Sequence, residues 1–174
     1  MTSAAPILIA LGANLPSRFG GPAETLEAAL AEVAARGVRV AALSRFYRTP
    51  PWPPSDQPWY VNAVARVETD LSAPALLALL HAVEEAFGRV RSVPNAPRPL
   101  DLDLIAHGTL VCDGNVVVPH PRLQDRAFVL LPLRDVAPDW ADPRDGHPLD
   151  RLIAGLPAAD IAACEPLPER SPGG

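Results

Sequence analysis

Residues 100–105, with the sequence Leu-Asp-Leu-Asp-Leu-Ile, alternate between apolar and acidic side chains. An alternation with a period of two residues predicts a β-strand, with the leucines on one face and Asp101 and Asp103 on the other. Residues on the same face of a strand lie roughly 6.5–7 Å apart, so the oxygen atoms of the two carboxylates can converge. The chain must therefore fold so that one face of this strand is apolar and the other carries two adjacent negative charges.

The two carboxylates are candidate metal ligands. Asp is rare in strands, and two like charges side by side destabilise each other unless a cation neutralises them. Two metal ions about 3.5–4 Å apart could lie across such a pair. The alternative is the solvated outer face of an edge strand. Arg98, between Pro97 and Pro99, favours the metal site, because carboxylates beside a guanidinium on a rigid segment suit a metal-bound polyphosphate.

Composition narrows the class of protein. A chain of 174 residues is long enough for one domain that buries about two-thirds or more of its unfolded surface. The net charge of −5 argues against a general nucleic-acid binder, because such proteins must neutralise phosphates. The sequence has no apolar run of about 18 residues and no signal-peptide pattern, so we expect a cytoplasmic protein that does not contact a membrane. We also expect a monomer.

The basic residues and the cysteines exclude further chemistries. All 15 basic residues are arginines, and the absence of lysine excludes a P-loop and Schiff-base catalysis. Phosphate recognition must therefore use arginine, backbone amides or a metal. Cys112 and Cys164 are too few for a disulfide framework or a structural zinc site.

Hydrophobic periodicity predicts the order β-α-β-β-α-β. The strands are expected at 7–11, 38–47, 60–69 and from 100, and the helices at 23–36 and from an N-cap at Ser72 to Gly88. This order predicts a ferredoxin-like α+β sandwich, with helices on one face of an antiparallel sheet. A hairpin over 111–118 and short helices near 122–136 and 149–154 should follow. We expect one domain over 1–155 and a Pro/Ala-rich, partly disordered tail over 156–174.

Three further groups of residues are candidates for binding. Arg89, Arg91 and Arg98 form a local positive patch with the composition of a triphosphate clamp, although Arg89 and Arg91 could simply complement a helix C-terminus. Aromatic residues are concentrated over 46–60, where Trp52 between prolines suits a flat ligand. On the next strand, Asn62 shares a face with Tyr60, so its amide could pair with the edge of a heterocycle.

The sequence gives only a weak signal that His120 and His81 contact a ligand. His120 lies in a Val-Pro-His-Pro segment, and a single histidine of this kind is usually structural. His81 and Glu84 are one helical turn apart and share a helix face, which could equally be solvated.

Taken together, these motifs resemble the 6-hydroxymethyl-7,8-dihydropterin pyrophosphokinase family of the folate pathway. The family signature, a proline and arginine followed by Asp-hydrophobic-Asp and two aliphatic residues, is met at 96–105. Other segments resemble the family in the same order along the chain. They are Gly12-Ala13-Asn14-Leu15, residues 44–51, residues 57–63, Glu84, residues 88–91, Val118-Pro119-His120 and residues 126–130.

The resemblance implies transfer of the pyrophosphoryl group of ATP to the hydroxymethyl oxygen of the dihydropterin. It implies that Asp101 and Asp103 hold two Mg²⁺ ions and that Arg89 and Arg98 take part in catalysis with them. The ATP contacts implied by position are His81, Glu84, Arg89, Arg91, Arg98, His120 and Arg126. The pterin contacts implied by position are Thr49, Pro50, Trp52, Tyr60, Asn62 and Phe128, with Tyr60 and Phe128 on either side of the ring.

The chain departs from the family pattern at three positions. Asn95 stands where many members have a loop tryptophan, Pro121 follows His120 where an aromatic residue is common, and His81 replaces a commoner glutamine. Three other functions are alternatives. A different two-metal phosphodiesterase is disfavoured by the proline-rich aromatic loop, an RNA-binding module by the acidic net charge, and an inactive pterin binder by the intact aspartate pair.

The arginine beside the aspartate pair provides a test of the phosphate site. We expect Arg98→Ala to lower transition-state stabilisation by roughly 2–4 kcal/mol, because a positioned charged donor is lost. Arg98→Lys should restore little of it, because an ammonium group cannot form the bidentate contacts of a guanidinium. The measurement is kcat/KM for both variants, and full activity of the lysine variant would show that only the charge at position 98 matters.

Overall fold

Three antiparallel strands form the centre of the main sheet in the computed structural model, which describes residues 5–88 and 99–168. They are β1 (Ile7–Ala13), β4 (Tyr60–Glu68) and β5 (Asp101–His107), in the order β5-β1-β4. β2 (Arg39–Leu43) and β3 (Tyr47–Thr49) pair with the two halves of β4. The predicted hairpin is confirmed as β6 (Cys112–Asp113) paired with β7 (Val117–Val118).

The second predicted strand, over 38–47, is interrupted in the structure and gives β2 and β3. The Ser44 hydroxyl accepts a hydrogen bond from the Val64 N–H at 3.0 Å and donates one to the Arg45 carbonyl at 2.7 Å. A serine that bonds locally to the backbone competes with regular strand pairing. The interruption matters for the site, because β3 leads directly into the proline-rich loop over 50–58.

Helices α1 (Pro22–Ala35) and α2 (Ala73–Ala86) pack on one face of the sheet. The predicted N-cap is confirmed, because the Ser72 hydroxyl accepts a hydrogen bond from the Ala75 N–H at 3.3 Å. Gly88 follows α2 with a φ of 93°, a left-handed conformation that favours glycine. The core on this face contains Leu100, Leu102 and Leu104, all nearly inaccessible to solvent.

The opposite face of the sheet is also covered by helices, so the prediction of helices on one face alone was wrong. Helix α3 (Ala127–Val136) follows a 3-10 turn at Leu123–Asp125 and packs with α4 (Leu149–Ala154) over this second face. The physical reason lies in β1, whose continuous apolar sequence is buried on both sides. Within the described residues, no helix is long and apolar enough to cross a membrane.

The segment from Leu156 onward contains regular structure, which the sequence pattern of this proline- and alanine-rich tail did not indicate. Residues Ala158–Ala163 form helix α5, and Glu165–Pro166 form β8, which pairs with β3 at the edge of the main sheet. Leu156 and Cys164 are buried in the same cluster as α3. The packed structure therefore continues past position 155 to the end of the described residues at 168.

The register of β5 against β1 confirms the predicted alternation. Asp101 lies opposite Gly12 and Asp103 opposite Ala10, on the face away from the three leucines. The alternation ends at Ile105, where the register of β5 against β1 shifts by one residue. Ile105 and Ala106 are therefore both buried in the core under α3 and α4. The two aspartates therefore share the sheet face that α3 partly covers.

The loop before α4 is held by a buried carboxylate. Asp142 is inaccessible to solvent and accepts hydrogen bonds from the Arg144 guanidinium at 2.6 Å and from the Gln124 side chain at 2.9 Å. Burial by itself would raise the pKa of Asp142, but these bonds and the Arg144 N–H outweigh it, so the pKa lies below its usual value. Gln124 belongs to the turn that precedes Arg126, so this cluster also fixes the start of α3.

We expect Asp142→Asn to lower the free energy of unfolding by about 2 kcal/mol, because hydrogen bonds to a charged group are lost. Since the pKa of this carboxyl is lower in the folded protein, the stabilisation is present above the unfolded pKa and is lost as the pH falls through the folded pKa. Denaturant unfolding at pH 7 and at successively lower pH measures both effects. The exposed Asp139→Asn is the control, and equal effects of the two substitutions would contradict the role of Asp142.

Candidate functional site

A cleft of about 320 Å³ opens on the sheet face that carries the aspartate pair. Its floor is formed by β1, β4 and β5, and its walls by the proline-rich loop and the start of α3. Most residues predicted for the site that the structure describes line this cleft. They are Thr49, Pro50, Trp52, Tyr60, Asn62, Asp101, Asp103, His120, Arg126 and Phe128.

Asp101 and Asp103 lie at one end of the cleft, close enough to Arg126 to interact with it electrostatically. Burial lowers the pKa of Arg126, and the two carboxylates, Asp103 more than Asp101, act against that decrease. The Arg126 Nε atom is buried and has no hydrogen-bond partner among the described residues. This end of the cleft thus combines two carboxylates with a guanidinium whose hydrogen-bonding capacity is not fully used.

Asn62 lies across the floor of the cleft, and a glycine makes room for it. Gly12 faces Asn62 in the register of β1 and β4, and a Cβ atom added at Gly12 would lie 2.5 Å from the Asn62 Oδ1 atom. The Asn62 Nδ2 atom donates a hydrogen bond of 2.6 Å to the Thr49 hydroxyl. The orientation of the amide is therefore set by β3 on one side and by the missing side chain of Gly12 on the other.

The proline-rich loop over 50–58 forms an aromatic and apolar wall of the cleft. Its C-terminal end is held to the end of β1 by Asn14, whose Nδ2 atom donates hydrogen bonds to the Gln57 side chain at 3.1 Å and to the Pro58 carbonyl at 3.2 Å. The Arg126 guanidinium lies 5.9 Å from the centre of the Trp52 ring and 5.5 Å from that of Phe128. Arg126 therefore links the acidic end of the cleft to its aromatic wall.

His120 contributes a neutral imidazole to the cleft. Burial lowers its pKa to about 4, and the nearby Arg126 adds to this effect. The His120 Nδ1 atom accepts a hydrogen bond from the Arg122 backbone N–H at 3.2 Å, and the His120 backbone N–H donates to the Ile105 carbonyl at 2.9 Å. A neutral ring that accepts at Nδ1 carries its proton on Nε2, so His120 can act as a hydrogen-bond donor to an anionic oxygen.

His81 and Glu84 do not line the cleft, because α2 packs on the other face of the sheet. The Glu84 carboxylate is fully buried and accepts a hydrogen bond from the Leu102 N–H at 2.8 Å. Since β5 is the edge strand of the main sheet, this bond satisfies a backbone donor between Asp101 and Asp103. Contact of His81 or Glu84 with a nucleotide stays a prediction.

Some predicted site residues lie outside the described part of the chain, and some residues of the site were not predicted. The predicted positions Arg89, Arg91 and Arg98, and the departure at Asn95, lie outside the described residues. Conversely, the sequence did not identify Gly12 or Asn14 as parts of the site. The predicted strand ended at residue 11, whereas β1 continues through Gly12 to Ala13. A glycine within a strand often marks a close approach of another group to the backbone, and this was the signal available.

An antiparallel sheet with a cleft that combines carboxylates, arginine and an aromatic wall defines an enzyme site for a charged small molecule. The family model described as 7,8-dihydro-6-hydroxymethylpterin-pyrophosphokinase (HPPK) matches residues 8–138 of the chain. The chain therefore belongs to the HPPK family, which confirms the resemblance found in its motifs.

Individual relatives agree with this assignment. The chain is 41% identical over 169 residues to a 2-amino-4-hydroxy-6-hydroxymethyldihydropteridine pyrophosphokinase of Pseudomonas aeruginosa, covering 96% of this chain and 97% of the relative. It is 40% identical over 148 residues to the protein of the same name from Synechocystis, covering 84% and 73% respectively. The fold resembles a crystal structure of a Plasmodium falciparum HPPK-DHPS triple mutant with a TM-score of 0.67 and 13% identity, over 87% of this chain and 44% of that one.

The environment of His120 predicts its titration. Because burial lowers its pKa to about 4, the ring should remain neutral in the ligand-free protein until the pH falls to about 4. Protonation then favours the unfolded chain, so stability should decrease as the pH falls from the unfolded value of about 6.5 towards the folded one. Histidine NMR signals measured against pH, assigned with His120→Asn, provide the test. A midpoint near the ordinary histidine value would contradict the buried, neutral ring.

Proposed function

We propose that this protein transfers the pyrophosphoryl group of ATP to the hydroxymethyl oxygen of 6-hydroxymethyl-7,8-dihydropterin and releases AMP, as a step of folate biosynthesis. One observation carries the proposal beyond family membership. A single cleft holds the aspartate pair and Arg126 at one end and the Asn62 amide with an aromatic wall at the other. A metal-bound polyphosphate suits the first end, and a flat heterocycle suits the second.

The proposal includes the finer features expected from the sequence. The strand order β5-β1-β4, with β2 and β3 both on β4, supports a ferredoxin-like arrangement to which α3, α4, α5 and β8 are additions. The net charge of −5 supports small-molecule substrates rather than nucleic acid. We propose a monomer in the cytoplasm.

Two Mg²⁺ ions are proposed to bind between Asp101 and Asp103 and the ATP phosphates. The donor set fits this ion, because Mg²⁺ prefers oxygen ligands and is often bound by one or two carboxylates together with substrate phosphates. Among the described residues, no cluster of three or more potential ligands exists, so the phosphates would complete the coordination. When bound, the ions would neutralise phosphate charge during transfer.

The protein side chains proposed for the phosphates are hydrogen-bond donors. Arg126 offers its guanidinium, and His120 offers the Nε2 proton of a ring that remains neutral at pH 7. Arg89, Arg91 and Arg98 are proposed to add charge from outside the described residues. Transfer of this kind depends mainly on in-line positioning and charge stabilisation, which matches a site without an evident activated nucleophile.

The dihydropterin is proposed to bind on the floor and wall formed by β3, β4 and the proline-rich loop. The Asn62 Oδ1 atom would accept hydrogen bonds from the edge of the ring, since its Nδ2 atom is engaged with Thr49. Tyr60 and Phe128 would contact the two ring faces, while Pro50 and Trp52 would exclude water at the rim. The position of Glu84 supports an indirect role, in which its bond to Leu102 holds β5 in place.

The aspartate pair provides the mutational test. Asp101→Ala and Asp103→Ala should each reduce turnover by a factor of about 10³ or more, because electrostatic stabilisation of this kind contributes several kcal/mol. Pterin-dependent consumption of ATP at limiting Mg²⁺ is the measurement, with circular dichroism to verify folding. Asp113→Ala, in the exposed hairpin, is the matched control. Near-normal turnover of both site variants would show that the carboxylates do not hold the metal.

A further inference from the structure

We infer that the C-terminal strand β8 is a positioning element for the pterin end of the cleft, an inference that rests on the proposed function. β8 pairs with β3, and β3 carries Thr49 and continues into the proline-rich wall. In this view the last part of the described chain fixes the geometry of a binding site to which it contributes no contacting side chain.

The pairing of β8 with β3 is made by the backbone. Arg48 lies opposite Glu165 and Tyr47 opposite Pro166, and the Leu167 N–H donates a hydrogen bond of 2.7 Å to the Phe46 carbonyl. Hydrogen-bonded and non-hydrogen-bonded pairs alternate along an antiparallel ladder. Pro166 therefore falls at a non-hydrogen-bonded position, where its missing N–H is not needed.

Side chains contribute less to this pairing. The Arg48 and Glu165 side chains are 3.9 Å apart, with 49% and 62% of their side-chain surfaces exposed, and such exposed pairs stabilise little. Cys164 at the end of α5 is buried in the same cluster as Tyr47 of β3. Backbone hydrogen bonds thus fix the register of the two strands, while the buried Tyr47 and Cys164 hold both segments against the same core cluster.

β3 would be a short exposed edge strand without β8. It has three residues, and the last of them, Thr49, accepts the hydrogen bond that orients the Asn62 amide. A second cavity of about 40 Å³ lies between this strand end and the tail, lined by Thr49 and Trp52 on one side and Asp160 and Cys164 on the other. Displacement of β3 would therefore move Thr49 and the proline-rich loop and would remove the hydrogen bond that orients the Asn62 amide on β4. Small misplacements of binding groups have large effects.

Two pairs of substitutions in the full chain separate the backbone bonds from the side chains. Leu167→Pro removes the N–H that bonds to Phe46, while Leu167→Ala keeps it and loses a similar apolar contact. Glu165→Pro removes the N–H at the next hydrogen-bonded position of the ladder, while Glu165→Ala keeps it. For each proline variant and its alanine partner, KM for the dihydropterin is measured at saturating ATP, and KM for ATP at saturating dihydropterin.

We expect each proline variant to raise KM for the dihydropterin about fivefold or more over its alanine partner, with KM for ATP within about twofold. Equal KM values for folded proline and alanine variants would overturn the inference. So would parallel losses for both substrates, which would indicate a general loss of stability, or failure of both proline variants to fold. Absence of pterin-dependent activity in the unsubstituted protein would instead reject the proposed function.

Discussion

The pairing of β5 with β1 places two carboxylates side by side on the sheet face that forms the floor of the cleft, and the site depends on this arrangement. Asp101 and Asp103 lie opposite Gly12 and Ala10, whose small size leaves the space above the sheet open. Like charges so close on a strand are unfavourable by themselves. The strand cannot turn over to separate these charges from the cleft, because that would expose the three leucines buried on its other face. The fold therefore maintains a concentration of negative charge that a cation and an arginine can stabilise.

The burial of the sheet on both faces explains how one cleft acquires two different ends. Helices α1 and α2 cover the face with the leucines and provide Glu84, whose carboxylate satisfies a backbone N–H at the outer edge of β5. Helix α3 covers part of the other face and begins directly after Arg126, so its first turn brings Arg126 and Phe128 over the sheet. What α3 leaves uncovered is the cleft, which the proline-rich loop closes on the side of β3.

Local patterns predicted much of this structure, and contacts between distant segments account for the rest. The alternation at residues 100–105 and the Ser72 cap were readable because each depends on neighbours in the sequence. The interruption at Ser44 was missed, since it depends on a hydrogen bond to Val64, which is far away in the chain. The spacing of His81 and Glu84 showed that they share a helix face, but it could not show that Glu84 is buried. The pairing of β8 with β3 joins Glu165 to Arg48 and leaves no periodic signal in a proline-rich tail.

The most direct test of a pyrophosphoryl-transfer site is the identity of its nucleotide product. The protein would be incubated with ATP, Mg²⁺ and 6-hydroxymethyl-7,8-dihydropterin, and the nucleotides and pterins would be separated and quantified. The proposed arrangement predicts AMP and pterin diphosphate in equal amounts, with neither formed when the pterin is omitted. Formation of ADP and a pterin monophosphate, or of AMP without the pterin, would contradict it.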